Sequence, residues 1–323
     1  MAGPHPSRRD VLGAALAAGA AFSLPNVLRA GSSPLHSAPP ASAQGRSARI
    51  VHLSDVHMTE QLQAPQRFAR CMDTVRSFKP DLILTGGDLC HGLALADRAT
   101  AQRRVDLLSK GLQNPPAPIH HCLGNHDHWA ALLPGHADDP MAGQGLLRNA
   151  LNIQQTSYSL LLGGWHILVL DNVRYAPASG LRYEGQLSQA DLALAVAALT
   201  RYRMLPSIVV LHIPPVSVLP MLDPRSQGLK AAEVGYNLVC REPTPFLQIC
   251  RDHGVRAVLS GHLHRLERLV ILNGLELICG GAVCGQWWQG PNQECPPGFG
   301  LLDCFPDGRV DYRYIVYEST EPG

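Results

Sequence analysis

The chain has 323 residues, 46% of them hydrophobic and 16% charged, which is enough for one large domain or two small ones. Its formal net charge is only +1 and no basic run crosses its body, so there is no electrostatic case for a nucleic-acid polymer as partner. The 15 histidines exceed what an ordinary domain needs, and they are unevenly placed.

At the N-terminus, Arg8-Arg9 precede an Ala/Gly-rich, mildly apolar stretch from Val11 to Leu24. Ser7-Arg8-Arg9-Asp10-Val11-Leu12 resembles a twin-arginine export signal, with Val11 where Phe is usual. The run "ASAQ" offers a small-x-small cleavage site after Ala43. Residues 1–43 are therefore expected to be signal peptide and spacer, and 44–323 the folded domain. A retained membrane anchor is the competing reading, but the stretch falls short of the ~20 apolar residues a span needs, and Pro25 interrupts it. Cleavage would remove three Arg and one Asp and carry the charge from +1 to −1. The expectation is export to the periplasm, with the twin-arginine machinery as partner and no stable membrane partner after cleavage.

From Ala48 onward, "ARIVHLSD" reads as a strand and Pro65–Phe78 as an amphipathic helix. "DLILTGGD" is a second buried strand, Ala99–Leu112 a helix, and "HHCLGNH" a third strand. "YSLLLGGWHILVLDN" predicts a hairpin turning at Gly163-Gly164, followed by a helix over Leu187–Tyr202. "SIVVLH" and "AVLSGHLH" are further strands. The tail, about 267–323, is β-rich, with turns at Asn273-Gly274 and Asp307-Gly308. Alternating β and α elements with a β-rich end predict α/β layers, sheets between helices. The nine cysteines show no C-x-x-C pair and no zinc-finger spacing, and their odd count leaves one thiol unpaired. Cys279, Cys284, Cys295 and Cys304 could pair in an oxidising compartment; otherwise most are small buried apolar residues.

Five strands end alike, in "LSDVH", "TGGDLCH", "LGNHDH", "LHIPP" and "SGHLH". In α/β sheets the carboxyl ends of strands are where ligands bind, because loops converge there on a rigid support. One Asp or His in such a place is ordinary turn chemistry. The set Asp55, His57, Asp88, Asn125, His126, His212, His262 and His264 is a mixture of carboxylate, amide and imidazole suited to Mn, Fe, Zn or Co. Two such ions sharing a carboxylate can clamp an in-line phosphoryl displacement and acidify a shared water.

In order, the blocks "DVH" (55–57), "GD" (87–88), "GNHD" (124–127), His212 and "GHLH" (261–264) resemble the signature of the calcineurin-like metallophosphoesterases. The resemblance covers nearly all of 44–323 and implies a four-layer α-β-β-α sandwich of two mixed sheets. It implies that Asp55, His57 and His264 hold one metal, that Asn125, His212 and His262 hold the other, and that Asp88 bridges them. His126 would face the substrate, stabilising charge or protonating the leaving oxygen, with a metal-bridging hydroxide as nucleophile. The ions implied are two transition metals, Fe, Mn or Zn, and the partner is a small phosphoester. His91, three residues after Asp88, departs from the Tyr or Asp found there in other branches. "GNHDHW" and "LHIPPV" look most like bacterial class III, cyclic-nucleotide-type phosphodiesterases. Phosphodiester hydrolysis is thus the expected reaction, with a phosphomonoesterase or an exported non-catalytic metal-binding protein as alternatives. Trp287-Trp288 is expected either to line the substrate groove or hold a base or a lipid-like group, or to pack as an aromatic pair in the β-rich end.

Overall fold

The computed structural model describes residues 45–175, 180–223, 234–271 and 274–318. The expected signal segment, 1–43, and Asn273 of the expected turn lie outside them. Strands β1 (Ala48–Leu53), β2 (Leu82–Gly86) and β3 (Ile119–Cys122) run parallel in one sheet. The hairpin partners β12 (Gly298–Cys304) and β13 (Val310–Val316) complete it in the order β13-β12-β1-β2-β3. The second sheet contains β4 (Tyr158–Leu162), β5 (Trp165–Val169), β8 (Ser207–Val210), β9 (Val255–Ser260), β10 (Glu267–Ile271) and β11 (Leu275–Cys279), in the order β10-β11-β9-β8-β5-β4. A two-stranded ribbon, β6 (Val173–Tyr175) with β7 (Tyr183–Gly185), stands apart from both. The expected β-rich tail is therefore divided, one hairpin closing each sheet.

The layers follow from which face each side chain takes. Ile50, Leu82, Leu84 and Leu302 of the first sheet meet Trp165, Ile167, Val169, Ile208, Val210 and Leu259 of the second in the inter-sheet core. Val51, Leu53 and Ile83 point the other way, under helices α1 (Ala64–Ser77) and α2 (Arg98–Gly111). Phe68, Cys71, Met72 and Val75 give α1 its apolar stripe at three- and four-residue spacing. Asp97 caps α2 by accepting from Thr100 N–H at 2.8 Å. The outer face of the second sheet, Leu168, Val209 and Val258 among it, packs under a further helical layer. That layer follows the short α3 (Gly145–Ala150) and comprises α4 (Gln189–Arg201) and, beyond the four-residue α5 (Leu219–Leu222), α6 (Thr244–Asp252). The result is the four-layer α/β sandwich of two mixed sheets.

Helix α6 was not among the expected elements; Pro245 sits in its first turn, where no N–H partner is needed. Gly163 and Gly164, at φ 53° and 77°, make the expected two-residue hairpin turn. All nine cysteines are buried and unpaired, so no disulfide framework holds the fold, and Cys284 lies together with His57 and His264. No helix among the described residues is long and apolar enough to cross a membrane.

Trp165 is fully buried between the sheets, and its Nε1 donates to Phe305 O at 3.1 Å. Trp165→Ala should lower the unfolding free energy by about 3–5 kcal/mol, read as a shift in the guanidinium midpoint.

Candidate metal centre

Each expected site residue sits just beyond the carboxyl end of a parallel strand: Asp55 and His57 after β1, Asp88 after β2, Asn125 and His126 after β3, His212 after β8, His262 and His264 after β9. The sheets thereby aim five loops at one place. To turn inward so soon after a strand, Asp55, His57, Asp88, His262 and His264 all adopt left-handed backbone, with φ between 46° and 75°. Such conformations are costly for non-glycine residues and persist where the surroundings over-determine them.

Asp88 lies at the middle. Its Oδ1 accepts the His126 backbone N–H at 2.7 Å. Its Oδ2 faces His57 Nε2 at 3.5 Å and His212 Nε2 at 3.3 Å. On one side stand His57, His264 and Asp55. The Nε2 atoms of the two histidines are 2.9 Å apart, and Asp55 Oδ1 is 3.4 Å from His264 Nε2. On the other stand His212 and Asn125, with Nε2 and Oδ1 3.0 Å apart, and His262. Asp88 thus belongs to two clusters at once, one with Asp55 and His57 and one with His212 and His262.

The ring orientations come from outside the clusters. His212 Nδ1–H donates to Gly86 O at 2.8 Å, and His264 Nδ1–H donates to Gly285 O at 2.8 Å, so both turn Nε2 inward. His262 does the reverse: its Nε2–H donates to Asn237 O at 2.6 Å, and its buried Nδ1 has no hydrogen-bond partner. Backbone carbonyls that fix the outer nitrogen are the usual support of ligating histidines.

The charge balance fits cations. Among the described residues, the ion pairs of Asp55 and Asp88 are all to histidines, and both carboxylates are buried. Burial raises both carboxyls, but the imidazoles outweigh it, His264 foremost at Asp55 and His212 at Asp88, and hold each well below the usual range. Burial lowers His212, yet the Asp88 charge carries it up to about 9, while burial pushes His57 down to about 3 and His262 to about 4. Buried carboxylates without Lys or Arg, an orphaned imidazole nitrogen and two ring nitrogens in contact form a donor set that divalent cations would satisfy.

Several supports were not singled out in the sequence. Asp127 takes the N–H groups of Leu89 (2.8 Å), Cys90 (3.0 Å) and Gly124 (2.8 Å), stapling the loop after β3 to the loop after β2. Asn172 Oδ1 accepts from His212 N at 3.1 Å and Ile213 N at 3.2 Å, and its Nδ2 donates to Ile213 O. Tyr175 OH donates to Asn125 O. The two tryptophans are placed differently. Trp288 is buried, with Nε1 donating to His57 O at 3.0 Å, whereas Trp287 is half-buried, its ring centroid 4.2 Å from that of His57 and 4.8 Å from that of His264. His91 stacks at 27° to His126 with 5.9 Å between centroids, while the N–H bonded to His126 Nδ1 comes from Gly92, at 3.0 Å. His166, outside the motif, is a satisfied core histidine between Ser207 and Ser159.

Residues 48–266 match the model of the calcineurin-like phosphoesterase family. A probable cyclic nucleotide phosphodiesterase of Synechococcus sp. (strain WH7803) is 25% identical over 289 residues, covering 84% of this chain and 98% of that protein. One from Moraxella catarrhalis (strain BBH18) is 26% identical over 240 residues, 71% of this chain and 76% of the relative. A dimetal phosphatase from Danio rerio shares the fold with TM-score 0.59 at 14% identity, over 85% of this chain and 100% of that one.

A Cβ at position 124 would overlap the Asp88 carboxylate. Gly124→Ala should displace that carboxylate and cut metal content to below half of wild type, measured by elemental analysis, with the far-ultraviolet circular dichroism of the sandwich retained.

Proposed function

The chain belongs to the calcineurin-like phosphoesterase family and is a metal-dependent phosphoester hydrolase, and from that premise we propose that it hydrolyses phosphodiesters. The observation that carries the reading is the Asp88 carboxylate facing both ligand clusters, with His126 held beside it by the same side chain. Diesters are favoured over monoesters by the likeness to two probable cyclic nucleotide phosphodiesterases, which extends over most of each relative's length. Asp55, His57 and His264 would hold one cation, Asn125, His212 and His262 the other, and Asp88 both. When bound, the pair supplies Lewis-acid polarisation of phosphoryl oxygens and eases deprotonation of the attacking water.

The chain's own contribution centres on His126. Gly92 N–H donates to its Nδ1, so the neutral ring carries its proton on Nε2. A second proton on Nδ1 would break that bond. His126 therefore acts as an Nε2–H donor toward charge developing on the phosphoryl oxygens or the leaving oxygen, and charge stabilisation is the stronger of its two expected roles. The N–H of His126 on Asp88 Oδ1 couples the donor's position to the shared carboxylate. Burial lowers the His126 imidazole from its ordinary value, which favours the neutral donor form.

Residues 1–43 are read as a twin-arginine signal and spacer, placing the enzyme in the periplasm with a small phosphoester as its partner. The Arg8-Arg9 pair and the small-x-small site at Ala43 support this.

Bis-(p-nitrophenyl) phosphate should be turned over faster than p-nitrophenyl phosphate by the Mn-loaded chain; the reverse order would move it to the monoesterases. His126→Ala should lower kcat for the diester by about a hundredfold or more with metal content near wild type. Turnover that persists in this variant would remove His126 from the reaction.

A further inference from the structure

Beside the metal centre runs a groove of about 230 Å³ whose lining includes Leu219, Leu238, Leu263 and Trp287 together with His262 and His264. Trp287 is its aromatic wall. The indole centroid lies 4.2 Å from that of His57, 4.8 Å from His264, 5.2 Å from His126 and 5.1 Å from His91, so one ring reaches every imidazole on that side. It is half-buried, leaving part of the ring open.

Its position is enforced from below. Trp288 is buried, donates to His57 O and lies under the Arg67 guanidinium at 5.4 Å. The turn carrying both is closed by Gln286 N–H on Gly290 O and Trp288 N–H on Cys284 O, each at 2.8 Å. Both tryptophans have left-handed backbone, φ 54° and 67°, an outlying conformation for bulky residues. Packing alone needs only Trp288. The strain at Trp287 puts an indole at the mouth of a hydrolytic site, which core packing does not require.

Among the described residues that line the groove, Arg265 is met by Glu294 at 2.5 Å. Three leucines and an indole offer apolar surface to a flat group, and Gln286, Asn292 and Gln293 beside them offer hydrogen bonds to its edge.

We propose that Trp287 is a specificity platform: it stacks a planar aromatic group, of the nucleobase kind, carried on one ester oxygen of the substrate while the phosphorus sits at the Asp88 centre. This rests on the phosphodiester reading. It makes Trp287 a determinant of which diester is taken, separate from the groups that cleave it.

The test compares binding of thymidine 5′-phosphate and ethyl phosphate to the full-length, Mn-loaded protein by calorimetry, in wild type, Trp287→Leu and Trp287→Phe. Wild type should prefer the nucleotide about tenfold or more, Trp287→Leu should erase about tenfold of that ratio, and Trp287→Phe should keep most of it. Because the readout is a ratio, a general loss of affinity cancels. An unchanged ratio in Trp287→Leu, or no preference in wild type, overturns the platform. In parallel, the 4-nitrophenyl esters of the same two phosphates are assayed for turnover. If neither diester is cleaved while the binding ratio still depends on Trp287, the phosphodiester reading falls and the platform stands.

Discussion

The site depends on where one carboxylate is placed. Asp88 must present Oδ2 to His57 and His212 at once while Oδ1 is held by the His126 N–H. Nearly every unusual feature around it serves that requirement. Asp88 leaves β2 with φ 54°, Gly124 is bare so that the carboxylate can pass, and Asp127 staples the two loops together through three backbone N–H groups. A carboxylate buried among imidazoles is unfavourable unless its charge is met. A pair of cations held on its two sides would meet it.

The sandwich exists, in this view, to hold strain. Five of the seven expected ligands have left-handed backbone, at an order of 1–3 kcal/mol each. Loops alone would relax. These are short extensions of strands locked by parallel pairing, β1 to β2 to β3 in one sheet and β5 to β8 to β9 in the other. The fully buried core between the sheets ties the two halves of the ligand set together, since Asp55, His57, Asp88 and Asn125 come from one sheet and His212, His262 and His264 from the other.

That Asp55, His57, Asp88, Asn125, His126, His212, His262 and His264 would gather at one place was legible in the sequence, because each stands beside a strand end and the blocks keep their order. The layers were legible too, since apolar runs of strand length alternate with stripes of helical period. What was hidden has a common cause: it depends on distances between loops. Asn172 ends "VLDN" like any turn residue, and only the approach of β5 to β8 makes it the acceptor for His212 N–H. The dipeptide Trp287-Trp288 carries no periodicity that could say which ring is core and which faces the site. His91 stood out as a departure from the family pattern, but the N–H on His126 Nδ1 proved to come from the next residue, Gly92. Helix α6 was not among the expected elements, and Pro245 in its first turn costs it no hydrogen bond.

The most direct test of the shared-carboxylate account is anomalous X-ray diffraction from crystals of the Mn-loaded protein. The account predicts two anomalous peaks flanking Asp88, one among Asp55, His57 and His264 and one among Asn125, His212 and His262. A single peak, or a peak among His57, His91 and His126 in place of either, would contradict it.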